Sequence, residues 1–257
     1  MLSHEGGIYD VYQVRKLPGF SEFVVKIEND KSSQGGLDHE IKLLRMLNHE
    51  NIIKLQEQSL MTLDNRDCLV IEYMNRSLPD CVVSHKISKK TLSDEFIKKI
   101  MKCLLTGIEY CHQKDIVHCD IKPPNIVLNS KITKIIDFEG SILLDRTKNL
   151  VIKPDSHGTR EFYSPELLKG MTIISNDNEA FDRLKKTDLW SVGCVLAYMI
   201  NERYPFETLK NQNELTEHID SIDINNNKYK SLLSKLIQYN PKDRPTATEA
   251  LKIIDEI

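Results

Sequence analysis

The sequence predicts an α+β fold, in which a strand-rich first part carrying one helix precedes a larger helix-rich part. Three observations lead there. β-branched and aromatic residues alternate at two-residue spacing in the first third of the chain. One stretch between those segments carries apolar residues at helical spacing. After Met74 the alternation stops and long helical stripes take over. With 257 residues, 40% hydrophobic and 28% charged, the chain has ordinary globular composition and enough apolar material for a sizeable core. A disordered tail, a collagen-like rod and a disulfide mini-protein are excluded.

The strands are expected at IYDVYQV (8–14), EFVVKIE (22–28) and CLVIEYM (68–74). The helix between the last two is DHEIKLLRMLNH, where Ile41, Leu44 and Leu47 fall on one face with Leu37 just before the string. The pattern changes near residues 73–78, and such a junction is a common place for a ligand cleft. Beyond it, Phe96, Ile97, Ile100, Met101, Leu104, Leu105 and Ile108 form a helical stripe that ends near His112, with Ser93 as N-cap. Residues 188–201 and 229–239 read as further apolar helices, the second ended by Pro241. Asn225-Asn226-Asn227 reads as a polar loop, and there is no internal repeat.

Charge narrows the partners. Thirty-five basic residues against 38 acidic ones leave a net charge of −3, with no basic field for nucleic acid and no polybasic block for an anionic membrane. Six scattered cysteines without a C-x-x-C pair argue against zinc and suit a reducing compartment. The start, MLSHEGG, lacks the pattern of a signal peptide, and no apolar stretch approaches the about 20 residues of a membrane span. The expectation is a soluble cytoplasmic protein, a monomer or weak oligomer, without nucleic-acid or membrane partners.

The chemistry concentrates in IVHCDIKPPNIVLN (116–129) and KIIDFEG (134–140). Asp120, Lys122 and Asn125 stand at offsets 0, +2 and +5, and Asp137 follows an apolar run. A carboxylate can accept or orient a hydroxyl proton, Asn and Asp oxygens can hold a hard cation such as Mg²⁺, and a lysine can neutralise a transferring phosphoryl group. One Asp in a polar loop would mean little; the full H-x-D-x-K-P-x-N pattern means more.

This pattern resembles the eukaryotic-type protein kinase family, serine/threonine type, and the resemblance runs in order along nearly the whole chain. It implies a bilobal fold and one catalytic domain over 1–257, with an N-lobe at 1–73 and a C-lobe at 74–257. It implies ATP and Mg²⁺ as cofactors and a protein as substrate. By the resemblance, Asp120 is the catalytic base, Lys122 the serine/threonine-type lysine, and Asn125 and Asp137 the metal ligands. FVVKIE resembles the strand that carries the phosphate-contacting lysine, here Lys26, and Glu40 its helix partner. Ile71 takes the gatekeeper position, Glu72 to Met74 offer backbone groups to adenine, and Val11 and Val127 sandwich the ring. GTREFYSPELL resembles the end of the activation segment, with Thr159 contacting the catalytic loop and Glu166 paired with Arg244. Asp188 of TDLWSVGC braces the catalytic loop.

Five departures stand out. Aligned on Val11, the Gly-rich loop reads HEGGIYDV: His4 and Tyr9 replace the outer glycines, Gly6 remains, and Gly7 is its neighbour. Val24 replaces the usual Ala and narrows the roof over adenine. Glu139 replaces the Gly of D-F-G, where its charge either recruits cation or repels phosphate, and Gly140 takes over the flexible position. Cys119 stands where regulated kinases carry an Arg that meets a phosphate, so activity is expected not to depend on such phosphorylation. Ser141, Thr147, Ser156 and Thr159 are the acceptors available in that segment. The first strand of the family fold is expected to be truncated before His4. Two other readings share part of the pattern. One is a pseudokinase acting as a scaffold or binding module, motivated by the nucleotide-side departures. The other is a small-molecule kinase of the aminoglycoside type, which lacks the Lys122-Pro123 pair and the Gly158 to Glu166 segment present here.

Overall fold

Antiparallel pairing joins the three predicted strands and a short strand not assigned from the sequence, β1, into one sheet in the order β1-β2-β3-β4. These are β1 (Ser3–His4), β2 (Tyr9–Lys16), β3 (Ser21–Glu28) and β4 (Cys68–Glu72). The computed structural model describes residues 3–4, 9–16, 21–28, 36–56, 68–152, 159–173, 177–201 and 227–257. In register, Val11 stands opposite Lys26, and Val24 opposite Ile71. The helix α1 (Gly36–Met46) buries Leu37, Ile41 and Leu44 as its spacing predicts, and Glu40 with them. Its Asp38 and Arg45 suit the helix dipole at the two ends.

A segment the sequence reading did not assign ties this sheet to the rest. Residues 51–56 bridge β4 on one side and β8 (Thr133–Ile135) on the other. The Ile53 N–H donates to the Ile135 carbonyl at 2.9 Å, and the Gln56 N–H to the Val70 carbonyl at 2.9 Å. The strap sets the height of β8, and hence of Asp137, against β4.

The helical part begins after β5 (Arg76–Ser77) with α2 (Leu78–Ile87) and α3 (Asp94–Gln113). Ser93 caps α3 by accepting the Phe96 N–H, as the sequence indicates. α2 opens on a capping box in which Ser77 and Asp80 satisfy each other's backbone N–H. The chain continues through β6 (Ile116–Val117), β7 (Ile126–Leu128), β8, β9 (Ile142–Leu143), β10 (Leu150–Ile152), α4 (Pro165–Lys169) and β11 (Met171–Ile173). β5, β7 and β8 form one sheet, and β6 pairs with β9.

Two expectations on the later helices need correction. α5 (Asn178–Asn201) starts well before residue 188, because Asp177 accepts the Ala180 N–H at 3.0 Å and Ala180, Phe181 and Leu184 supply a buried stripe. α6 (Asn227–Leu236) ends well before Pro241. Pro241 instead opens a 3₁₀ turn capped by Asn240, whose side chain accepts the Lys242 N–H. The last helix, α7 (Ala247–Glu256), starts on a capping box between Thr246 and Glu249.

One large apolar cluster joins α1, α3, α5, α6 and α7; a smaller one gathers Val117, Cys119, Ile142, Leu144, Ile152, Tyr163, Leu167 and the start of α5. Close approach inside the large cluster needs Gly107 on α3, where a Cβ would lie 2.8 Å from Ile135 Cδ1. Among the described residues, no helix is long and apolar enough to cross a membrane.

Candidate active site

β6 delivers the chain into the loop His118–Lys122, and a 3₁₀ turn, Pro123–Asn125, carries it on into β7. Three bonds to one buried carboxylate hold this loop. Asp188 of α5 accepts the His118 N–H and the Cys119 N–H, each at 2.9 Å, and the His112 Nε2–H at 2.8 Å. Asp188 is fully buried, so these donors replace its hydration. The His118 ring lies 4.7 Å from Phe138. Its Nδ1 accepts the Asp120 N–H at 3.2 Å, which assigns the proton to Nε2, 3.1 Å from the Ile136 carbonyl.

This scaffold brings together the residues the motif singles out. Asp120 Oδ2 accepts from Asn125 Nδ2 at 3.1 Å and lies 2.8 Å from Lys122 Nζ. Lys122 Nζ also donates to Thr159 Oγ1 at 2.6 Å. Asn125 Nδ2 further donates to the Asp120 carbonyl at 2.9 Å, which leaves the amide oxygen as its side-chain acceptor. Asp120 Oδ1 is buried and has no hydrogen-bond partner among the described residues. A buried carboxylate oxygen without a donor is costly unless a ligand supplies one.

A second cluster surrounds Lys26. Its ammonium lies 3.0 Å from Glu40 Oε2, 3.1 Å from Asp137 Oδ1 and 3.3 Å from Glu139 Oε2. Burial alone would lower the lysine pKa, but the three carboxylates outweigh it and hold the ammonium well above its ordinary value. Glu40 is 2% exposed, and its other oxygen accepts the Phe138 N–H at 3.0 Å. Burial raises the Glu40 pKa, with Lys26 acting against it. For Asp137, burial raises and Lys26 lowers, and the lysine prevails. Asp137 has φ 69°, a left-handed conformation uncommon for a non-glycine residue and held here by surrounding bonds. Gly140 does not share it: the positive-φ residues among those described are Lys89, Asp115, Cys119, Asp137 and Gly170.

Tyr9 closes this cluster. Its ring centroid lies 4.3 Å from Lys26 Nζ, and its hydroxyl donates to Glu139 Oε1 at 2.6 Å. Burial, and then the bond to Glu139, raises the phenol pKa and keeps it a donor. The sequence separation of 130 residues leaves no local signal for this contact.

The residues expected around a purine are less gathered. Val11 and Val24 are half-buried on the first sheet, whereas Val127 lies on the other sheet, opposite Ser77 and Lys134. The Glu72 N–H is taken by the Lys54 carbonyl at 3.1 Å, and its carboxylate by Lys134 Nζ at 2.8 Å. Asn129 Nδ2 approaches Met74 Sδ at 3.7 Å. Gly6, Gly7, Ser156 and Gly158 lie outside the described residues, and of His4 only the strand pairing is described.

Around the site, Arg244 grips Glu166 with two bonds of 2.5 and 2.8 Å. Of the hydroxyls the sequence offers as acceptors in 137–166, Ser141 is buried and donates to the His118 carbonyl at 3.1 Å, which withdraws it from that set. Cys119, with φ 63°, packs in the smaller apolar cluster. Burial pushes its thiol pKa up, so it behaves as a packing group.

The chemistry of the donor set fits a hard cation shared with phosphate. Asn125 and Asp137 offer oxygen donors, and among the described residues no group of three or more His, Cys, Asp or Glu could hold a metal by itself.

Residues 5–253 match the protein kinase domain family. The chain is 30% identical over 236 residues to the candidate serine/threonine-protein kinase R436 of Acanthamoeba polyphaga mimivirus, covering 88% of this chain and 81% of that one. It is 31% identical over 243 residues to calcium-dependent protein kinase 4 of Plasmodium falciparum, covering 89% of this chain and 42% of that one. It is 30% identical over 183 residues to the carbon catabolite-derepressing protein kinase of Saccharomyces cerevisiae, covering 71% and 26%. The chain thus spans less than half the length of the latter two.

Proposed function

The chain belongs to the protein kinase domain family as a serine/threonine-type transferase, and we propose that it transfers the γ-phosphoryl group of ATP in line to Ser or Thr hydroxyls of proteins. The family uses ATP and a divalent metal. The observation that carries this reading is the buried Asp120 Oδ1, lacking a donor among the described residues while Oδ2 is tied to Asn125 and Lys122. A substrate hydroxyl is the donor that fits it.

In the proposed reaction Asp120 orients that hydroxyl and takes its proton as the oxygen–phosphorus bond forms and the bond to the β-phosphate oxygen breaks, releasing ADP. Lys122, held between Asp120 and Thr159, sets its charge against the transferring group. A Mg²⁺ ion, when bound, supplies positive charge to the phosphate oxygens. Asn125 and Asp137 are the residues to hold it, Lys26 braced by Glu40 the residue to meet phosphate, and Gly6, Val11, Val24, Ile71, Glu72, Met74 and Val127 the surroundings of the nucleotide. The match over 5–253 supports one catalytic domain across the chain.

Asp120→Asn should abolish phosphate incorporation from radiolabelled ATP while leaving ATP binding intact. Retained transfer in that variant would refute the assignment. A scaffold reading is favoured by one observation, the Glu139 carboxylate seated on Lys26. A wild type showing neither a thermal shift with Mg·ATP nor phosphate incorporation would select the scaffold.

A further inference from the structure

Two of the departures from the family pattern, far apart in sequence, meet in space on the same lysine. An ammonium has three N–H donors, and the Lys26 ammonium already faces three carboxylates, Glu40, Asp137 and Glu139. A phosphate oxygen arriving at Lys26 must therefore displace one of them. Glu40 is buried and doubly held, by Lys26 and by the Phe138 N–H. Glu139 and Asp137 both have side chains a third exposed, and of the three contacts that of Glu139 is the longest, 3.3 Å against 3.1 Å for Asp137. Glu139 is the one placed to leave, and its second oxygen is held by Tyr9.

We propose that Glu139, fastened by the Tyr9 hydroxyl, is an internal competitor for the nucleotide's phosphates at Lys26, so that a phosphate-bearing ligand binds only by opening a Tyr9–Glu139 latch. The inference rests on the nucleotide-binding reading of the site and deepens it. Three consequences follow from the geometry. The latch opposes the phosphates and not the nucleoside, because both of its contacts lie around the ammonium. Opening it frees Tyr9 at the start of β2 from the segment that carries Asp137. It also removes a carboxylate from Lys26 just as the phosphate charge arrives, so the local charge does not accumulate.

The test compares wild type, Tyr9→Phe and Glu139→Gln, each shown by thermal melting to be folded. Two measurements are made: calorimetric titration with Mg·ATP and with adenosine, and the rate of Lys26 acylation by an amine-reactive ester, read by peptide mass spectrometry without nucleotide. Both variants should bind Mg·ATP about tenfold more tightly, the effect of losing one charge-assisted hydrogen bond. Adenosine affinity should stay unchanged, and Lys26 should acylate faster. Faster acylation in both variants with no nucleotide bound by any protein would remove the kinase reading and, with it, the competition with phosphate, leaving only the Tyr9–Glu139 contact on Lys26. Unchanged acylation and unchanged Mg·ATP affinity would overturn the latch while leaving that reading intact. Weaker Mg·ATP binding in Glu139→Gln would also overturn it, by placing Glu139 among the residues that favour the cation.

Discussion

The loop at 118–125 and the Lys26 cluster are both polar, both tied to Phe138, the first through the His118 ring and the second through the Phe138 N–H donated to Glu40, and built in opposite ways. The loop hangs on one buried carboxylate: Asp188 accepts two loop N–H groups and the His112 ring N–H, and among the described residues no other carboxylate bonds these donors. The Lys26 cluster sets one ammonium among three carboxylates and a tyrosine, and only Glu40 of the three is deeply buried. The first arrangement has one low-energy geometry. The second has a surplus of anions around one cation, so it has a partner to spare. Under the proposed function, a loop that presents Asp120 at a fixed place gains from rigidity, while a lysine that meets phosphate gains from an exchangeable partner.

Asp188→Ala should break the rigid side most severely. It strands the His118 and Cys119 N–H groups in the interior, and the loss should reach about 3 kcal/mol or more in denaturant titration, with activity gone. Lys26→Met should cost less, about 1–3 kcal/mol by the same measurement, because Glu40 keeps the Phe138 N–H and can take up a proton once its cation is gone. If the two losses proved equal, the contrast between the regions would fail. Gly107→Ala tests the strap between them. Its Cβ would meet Ile135 Cδ1 at 2.8 Å and the Asn51 carbonyl oxygen at 3.3 Å. Overpacking costs about 1–3 kcal/mol, helix propensity returns about 1 kcal/mol, and a net loss near 1 kcal/mol should appear in the melting curve. The smallest effect belongs to phosphatase treatment. Cys119 packs among Ile142, Leu144 and Tyr163 rather than offering a cation to a phosphate. The treated enzyme should therefore keep its rate of phosphate incorporation, and a lost rate would show another phosphate-binding group at work.

Much of the frame was legible in the sequence because its signals are local. Alternation marked β2, β3 and β4, a stripe marked α1, and Ser93 marked the start of α3. The start of α7 is marked by Thr246 and Glu249 at the spacing of a capping box, but its apolar stripe is short and gives a weak helical signal. α2 was hidden by a weakly amphipathic pattern, Leu78, Cys81 and Val82 being its buried residues. The early start of α5 was hidden by charged residues interleaved with Ala180, Phe181 and Leu184. The burial of Ser141 could not be read at all, because it depends on the carbonyl of His118.

The sequence by itself determined the cluster on the loop after β6: Asp120, Lys122 and Asn125 lie within five positions, so the backbone alone brings them close. It also determined that His4, Tyr9, Val24 and Glu139 depart from the pattern. What those departures do was decided by the tertiary structure. Tyr9 and Glu139 are 130 residues apart, and Lys26 and Glu139 113 apart. Only the packing of β8 against the strap at 51–56, and of the first sheet above it, brings them within hydrogen-bonding distance. Local spacing specifies which groups can react; the approach of distant segments specifies which groups meet, and here it set Glu139 on Lys26, the lysine proposed to meet phosphate.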